Sequence, residues 1–381
     1  MSFSLPTGFS YFVEISDTLA HHFNPTTVSG IVTDTDMSTV LTYSDLHNIK
    51  TAADIKAALN IGTDLTDLVG ESITCAWNGS TIEWDVADYD DNGKTITLLL
   101  HDTLPTQLQF EVPQALAYFE DGLAAGNYCF IHSNNTYYFT LTSSIPAGGQ
   151  LRATTSAFTT YESQSSMVTI ETGTVSTTEI QNASLLGTTA SSSGAYSLNH
   201  MDRVNYGSNN FAESGLFAWL NSKEPANALM PRVTKFSRPY TVNVPGFLGA
   251  LDTEFASCLD DIIWVCSANN AYECPASMGG VSVKSAPYTV TGKIGLASQK
   301  EIFGTYDGVD TGDKIFGLFV EAKNADRIKR YNGAARHWWL RSPHPSNSSY
   351  ERYVSTSGAV NDNYARISYG VVPDCKDSSF E

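Results

Sequence analysis

The sequence is short of positive charge, of paired cysteines and of long apolar runs, and each shortage excludes something. Lys and Arg number 22 against 40 Asp and Glu, for a formal net charge of −18. A chain this poor in cations releases few counterions from a phosphate backbone, so nucleic acid is excluded as the main ligand. The six cysteines, Cys75, Cys129, Cys258, Cys266, Cys274 and Cys375, include no C-x-x-C pair, which argues against a zinc knuckle or a thioredoxin-like redox site. A mostly reduced, buried set is expected. No apolar run approaches the roughly 20 residues that span a bilayer, so no membrane insertion is expected. The first residues, MSFSLPTGFSYFVEIS, have no basic start, and no secretory signal is expected. There is no G-x-S-x-G elbow to make a nucleophile of the many serines beside His337 or His344.

What the chain has in quantity is Ser, Thr, Tyr and turn residues. Only 16% of its residues are charged while 42% are hydrophobic, enough for sizeable cores, and 381 residues exceed what a single core normally holds. Low charge and short, turn-punctuated segments favour a β-rich extracellular or virion protein. Residues 1–70 read as an attachment or oligomerisation segment. Within them 27–42 is β-branched, and 51–59 (TAADIKAAL) is a short helix with Thr51 as N-cap. The adjacent His21 and His22 point apart on either kind of element and read as a surface pair, not a metal site.

From 71 to 187 the pattern becomes β. Strand-length runs occur at 73–77, 81–84, 95–100, 108–112 and 137–142, with turn residues between them. Asp88-Tyr-Asp-Asp-Asn-Gly93 opens like a calcium loop, but Leu99 falls where the twelfth-position carboxylate belongs, and Asn92-Gly93 is a hairpin turn signal. Residues 176–193 read as a strand ending in a linker. In the third segment, 188–381, Asn209 or Asn210 is expected to cap a helix over 211–220. Asp252 is expected to cap another ending near Leu259, and 262–266 and 315–320 read as buried strands. Helices beside a small antiparallel sheet make this segment α+β. Asp307, Asp310 and Asp313 read as a solvated Gly-rich turn.

The densest information lies in 336–375. Between Ser342 and Tyr369 there are seven Ser, four Tyr and three Asn and no Lys, a mixture that offers rigid aromatic contacts and adaptable hydrogen bonds at low entropy cost. Tyr353, Ser355 and Ser357 alternate with Arg352, Val354 and Thr356 before Gly358 turns the chain, so one strand face packs and the other displays; a second strand is expected from Val360 towards Tyr369. Alternation sends Trp338 and Leu340 to one face and Trp339 and Arg341 to the other, so one pair is expected in the core. Trp338, Trp339, Leu340 and Arg341 are assigned to the scaffold, with Arg341 as a hub for backbone carbonyls and Gly358 and Gly370 at turns and strand ends. The ligand-contacting candidates are His344, Ser346, Ser348, Ser349, Tyr350, Tyr353, Ser355, Asn361, Asp362, Asn363, Tyr364, Ile367 and Tyr369, with the tyrosines as anchors.

These residues also carry a resemblance. WWLRSP (338–343), RYVSTSGAV (352–360) and YARISYGVVP (364–373) resemble the C-terminal signature of a family of phage and prophage proteins with a C-type-lectin-like fold of the formylglycine-generating-enzyme type. Several members are variable proteins of diversity-generating retroelements. Upstream, HMDRVNYGSNNFAESGLFAWLNS (200–222), TKFSRPY (234–240), PGFLGALDTEF (245–255), KIGLASQKEIFG (293–304) and ADRIKRYNG (325–333) resemble the same family in the same order, and FEDGLAAGNY (119–128) its middle domain.

The resemblance implies a virion-associated binding protein that displays a diversified surface at about 336–375 to a host surface protein or glycan. It also implies a β-sandwich domain over 71–187, synthesis in bacterial cytoplasm, association with other virion proteins and a homo-oligomer, a trimer. No metal and no cofactor are expected. A calcium-dependent sugar site would show Glu-Pro-Asn or Gln-Pro-Asp with Trp-Asn-Asp, whereas Glu224-Pro225-Ala226 stands here. A formylglycine-generating oxidase needs a pair of cysteines near the domain end, and Cys375 is alone there. Two alternatives stay open: a structural or decoration protein of the virion with an invariant lectin-like domain, and, with less support, an enzyme on that oxidase-like scaffold.

Overall fold

A computed structural model describes residues 49–92, 94–112, 116–119, 122–132, 135–146, 149–153, 160–163, 167–169, 171–172, 184–188, 209–231, 240–267, 287–347 and 350–378. Residues 1–48 with His21 and His22, the 189–208 linker, Cys274, and Ser348 and Ser349 lie outside the described residues.

The chain is β-rich, and its principal sheet is built from both ends of the described sequence. Its five antiparallel strands run in the order Ser72–Trp77, Ser80–Asp90, Thr95–Leu100, Pro373–Ser378, Ile294–Leu296. The central strand Thr95–Leu100 has five consecutive buried residues, as a strand covered on both faces must. On one side Trp84 stacks on Phe255 at 5.2 Å, and Trp77 stacks on Phe247 at 5.6 Å. Helix Ala52–Asn60 begins with a capping box in which the Thr51 hydroxyl and the Asp54 carboxylate exchange bonds with each other's backbone N–H. It docks on this sheet through Lys56, whose Nζ donates to Asp377 at 2.6 Å and to the Ser378 carbonyl at 2.6 Å.

The grouping of 71–187 into one unit does not follow the sheets. Its first three strands share a sheet with the C-terminal strand, which pairs with the third of them, Leu98 and Leu99 lying opposite Cys375 and Asp374. The remainder forms two separate four-stranded sheets, one of strands between 116 and 169 and one of strands between 126 and 188. The last strand of the second, Ser184–Thr188, runs parallel to Gly126–His132.

Other local expectations are corrected. The helix read at 211–220 is a 3-10 turn, Phe211–Glu213, followed by α-helix Gly215–Leu220, and its cap is Ser214, whose Oγ accepts from the Phe217 N–H at 3.0 Å. Residues 315–320 hold no strand; Gly317–Phe319 is a 3-10 turn anchored by the Gly317 N–H donating to Asp88. Of 108–112 only Leu108–Gln109 pairs, and its partner is Ser368–Tyr369.

Since the last strand is the bond between the amino-terminal strands and Ile294–Leu296, ending the chain at Val372 is expected to abolish cooperative unfolding. Near-ultraviolet circular dichroism of the buried tryptophans should lose its fixed-packing signal, whereas ending it after Ser378 should leave the signal intact.

Candidate functional site

The segment 338–364 forms a three-stranded antiparallel sheet, Trp338–Pro343, Tyr350–Val354, Val360–Tyr364, in that order. Every residue of the first strand is buried, so alternation does not divide it into a core face and a free face. Both indoles are inside and both are answered: Trp338 Nε1 donates to the Arg327 carbonyl at 3.1 Å and Trp339 Nε1 to the Leu108 carbonyl at 2.9 Å. Layers pack on both sides of this strand, which the two-residue period cannot reveal.

Arg341, 2% exposed, gathers four segments. Its Nε donates to the Val265 carbonyl at 3.1 Å and its Nη1 to the Leu296 carbonyl at 2.8 Å; Nη2 reaches Glu301 at 3.2 Å and Asp313 at 2.9 Å. Glu301 also caps its own helix, Gln299–Phe303, by accepting from the Ser298 N–H. Asp374 lies fully buried in the same field, and burial, together with the Glu301 charge, pushes its carboxyl up to about 8 against the pull of Arg341. The Asp307, Asp310 and Asp313 turn is therefore not simply solvated: Asp313 is a partner of Arg341, Asp310 pairs with Lys300 at 2.7 Å, and Asp307 holds Arg352.

On this base stands the hairpin of the second and third strands. The backbone closes through the Ser355 N–H to the Ala359 carbonyl at 2.8 Å, with Gly358 at φ +78°, where a Cβ would meet the Asn324 carbonyl oxygen at 1.6 Å. Gly370 is constrained by contact instead, since a Cβ there would lie 2.7 Å from Thr103 Cγ2. The second strand does not run on to Tyr369; it ends at Tyr364, and Ser368–Tyr369 pairs elsewhere.

Cross-strand partners share a face. Tyr350 faces Tyr364 and Arg352 faces Asp362 on one side; Tyr353 faces Asn361 and Glu351 faces Asn363 on the other. The candidates thus form two clusters. In the first, the Tyr350 and Tyr364 rings meet edge to face at 4.4 Å, His344 lies 6.0 Å from Tyr350, and Arg352 bridges Asp307, at 2.7 and 2.9 Å, to Asp362, at 3.3 Å. In the second, Tyr369 packs against Tyr353 at 4.6 Å, Trp339 at 4.7 Å and His337 at 4.9 Å, and its hydroxyl accepts from Asn363 Nδ2 at 2.6 Å.

Tyr353 is buried, and burial followed by the neighbouring Tyr369 pushes its phenol up to about 12, so it stays a donor at neutral pH. Burial holds His337 below its ordinary value, and its Nδ1 accepts the Thr356 N–H at 3.2 Å as a neutral imidazole. Glu351 is fully buried, and that burial pushes its carboxyl well above the carboxylate range against the pull of the Arg352 backbone N–H and charge.

The remaining candidates divide clearly. Ser346 and Asn361 are exposed. Ser355 is occupied by the turn, its Oγ lying 2.9 Å from Ser357 Oγ and accepting from the Ala359 N–H at 3.2 Å. Ile367 is half-buried against the core. The edge strand Val360–Tyr364 blunts its own backbone: the Asn361 side chain accepts from the Asp362 N–H at 2.9 Å, and the Asn363 side chain from the Tyr364 N–H at 2.8 Å. Capped N–H groups do not recruit a further strand, so recognition at this edge falls to side chains.

Sequence reasoning passed over four contributors: His337, Arg352, Asp307 and Asn209, whose Nδ2 donates to the carbonyls of Asn347 and Tyr350 at 2.9 and 2.8 Å and holds the 344–350 loop. Arg352 had a signal, being the one cation in an alternating Tyr and Ser run. Asp307 and Asn209 act from segments distant in sequence, and His337 stands beside Trp338.

The family model described as a domain of unknown function, DUF6273, matches residues 177–376. No curated protein and no solved structure matches the chain.

Two outcomes follow for the buried charges. Arg341→Ala leaves Glu301 and Asp313 uncompensated and is expected to cost about 3–5 kcal/mol in chemical denaturation. For Asp374, the folded carboxyl binds its proton more tightly than the unfolded one, whose ordinary value is 3.8, so stability falls as pH rises from about 4 to about 8. Asp374→Asn should remove that slope, and its Tm should exceed that of the parent at pH 8 by more than at pH 5.

Proposed function

We propose, for a chain that belongs to the DUF6273 family of domains of unknown function, that it is a virion-associated ligand-binding protein of a phage or prophage. In this reading its C-terminal segment has the C-type-lectin-like fold implied by WWLRSP, and the hairpin displays a diversified surface to a host protein or glycan. The observation that carries it is the contrast between a wholly buried base strand, Trp338–Pro343, and a free-edged hairpin beside it bearing Tyr350, Asn361, Asp362, Asn363 and Tyr364. A rigid base with an aromatic and small-polar rim allows rim side chains to change without altering the core.

Binding, not catalysis, is favoured because Cys375, the cysteine nearest the domain end, is fully buried with its thiol pushed well up by that burial, and so is a poor metal ligand or nucleophile. Individual contacts on such rims are weak, and several copies on one particle raise attachment through effective concentration; a homotrimer is the proposed assembly.

Sequencing the gene through a growing population of its carrier tests the reading. Substitutions confined to codons between about 343 and 369 support it, and a uniform segment with no template copy nearby removes the diversified surface. In parallel, Tyr350→Ala with Tyr364→Ala is expected to weaken particle adsorption to host cells about tenfold or more, as loss of aromatic anchors does, with Tm nearly unchanged.

A further inference from the structure

A second concavity lies apart from the hairpin and shares no residue with it. This cleft of about 330 Å³ is walled by the turn joining Ser72–Trp77 to Ser80–Asp90, by 100–105 and by Tyr331 and Asn332. Its walls are fixed: the His101 N–H bonds to the Glu83 carbonyl at 2.9 Å, the Thr103 N–H to the Arg330 carbonyl at 3.0 Å, and the Arg330 N–H to Asp102 at 2.6 Å. Asn332, at φ +50°, and Gly333 turn the chain at the rim.

One wall carries a prepared imidazole. His101 Nδ1 lies 2.6 Å from Asp85 Oδ1, and the other oxygen of Asp85 accepts from Lys329 Nζ at 3.0 Å, while Ser72 Oγ donates to Oδ1 at 3.1 Å. Burial pushes Asp85 up, but the Lys329 charge and the His101 contact outweigh it and hold the carboxyl below its usual range. The Asp85 carboxylate accepts from His101 Nδ1, which fixes the ring's orientation and leaves Nε2 to meet a ligand on a side chain that is half exposed. Other polar groups are at hand: Glu83 and Asp102 supply acceptors, Asn332 supplies both kinds of group, and Tyr331 supplies apolar ring surface. Tyr331 is backed by the Arg336 guanidinium 4.3 Å from its ring centre. Trp77 is 3% exposed, and its indole N–H has no acceptor among the described residues.

No Lys or Arg lines the cleft, so an anionic ligand would meet two carboxylates and no countercharge. A small primary amine offers donors only and presents no apolar face to Tyr331. Hydroxyls both donate and accept, and a pyranose ring presents an apolar face to an aromatic wall. We propose that this cleft binds a neutral saccharide residue, with its hydroxyls on Glu83, His101 and Asp102 and its ring face on Tyr331. The site does not depend on the hairpin's role.

Saturation-transfer NMR and calorimetry on the full chain test it, with cellobiose, maltose, chitobiose and methyl α-mannoside as neutral probes, and glucose 6-phosphate and ethanolamine as charged ones. At least one neutral probe is expected to bind, with His101→Ala and Glu83→Gln each weakening it about tenfold, the cost of a lost hydrogen bond to a charged or polar partner. Tyr364→Ala should leave that affinity unchanged. Should His101→Ala lower Tm, the half-open rim variant Glu83→Gln decides. Binding of no neutral probe, preference for ethanolamine or the phosphate ester, or full affinity in Glu83→Gln overturns the assignment.

Discussion

One buried guanidinium sets the terms for the rest of the molecule. Arg341 touches the carbonyls of Val265 and Leu296 and the carboxylates of Glu301 and Asp313, so a strand pair, the closing sheet, a helix and a loop are registered on a single planar fork. Desolvating these charges is costly, and their mutual attraction offsets it only when each lone pair and proton is placed. Three carboxylates surround one cation, and Asp374 resolves the excess by retaining its proton near neutrality. The network is a specificity device more than a source of stability, and it places the strand from which the hairpin springs.

The hairpin then separates rigidity from variety. Its Tyr353 and Tyr369 pack onto Trp339, while Tyr350 and Tyr364 pair with each other beside the Arg352 and Asp307 bridge. Aromatic residues do two jobs within a few positions of one another. Some hold the hairpin to the base, and the others stand at its edge. The capping of backbone N–H groups by Asn361 and Asn363 leaves that edge soluble without a covering strand.

Local signals were legible where local chemistry decides. Thr51 with Asp54 and Asp252 with the Glu254 and Phe255 N–H groups are caps readable from residue type alone, as are the strands at 95–100 and 262–266. Signals failed where partners come from afar. Asn210 stands where a cap was expected, yet Ser214 performs the task because a 3-10 turn intervenes. Residues 315–320 have strand composition but are drawn into a turn by Asp88, more than 200 positions away in sequence. Asp307 and Asp313 read as solvated because the cations that claim them, Arg352 and Arg341, stand 45 and 28 positions further along. Of the candidate rim, the stretch was legible and the division was not: cross-strand register decides which tyrosine packs on the base and which packs at the edge, and the turn consumes Ser355.

The placement of the closing strand has a consequence for fidelity. Pro373–Ser378 is translated after the hairpin and fills the gap between Thr95–Leu100 and Ile294–Leu296. A reading-frame slip or premature stop anywhere in the hairpin therefore removes the piece that completes the core. Such a chain leaves the edges of Thr95–Leu100 and Ile294–Leu296 without the strand that joins them. A side-chain change in the rim keeps that strand, and an error of frame loses it.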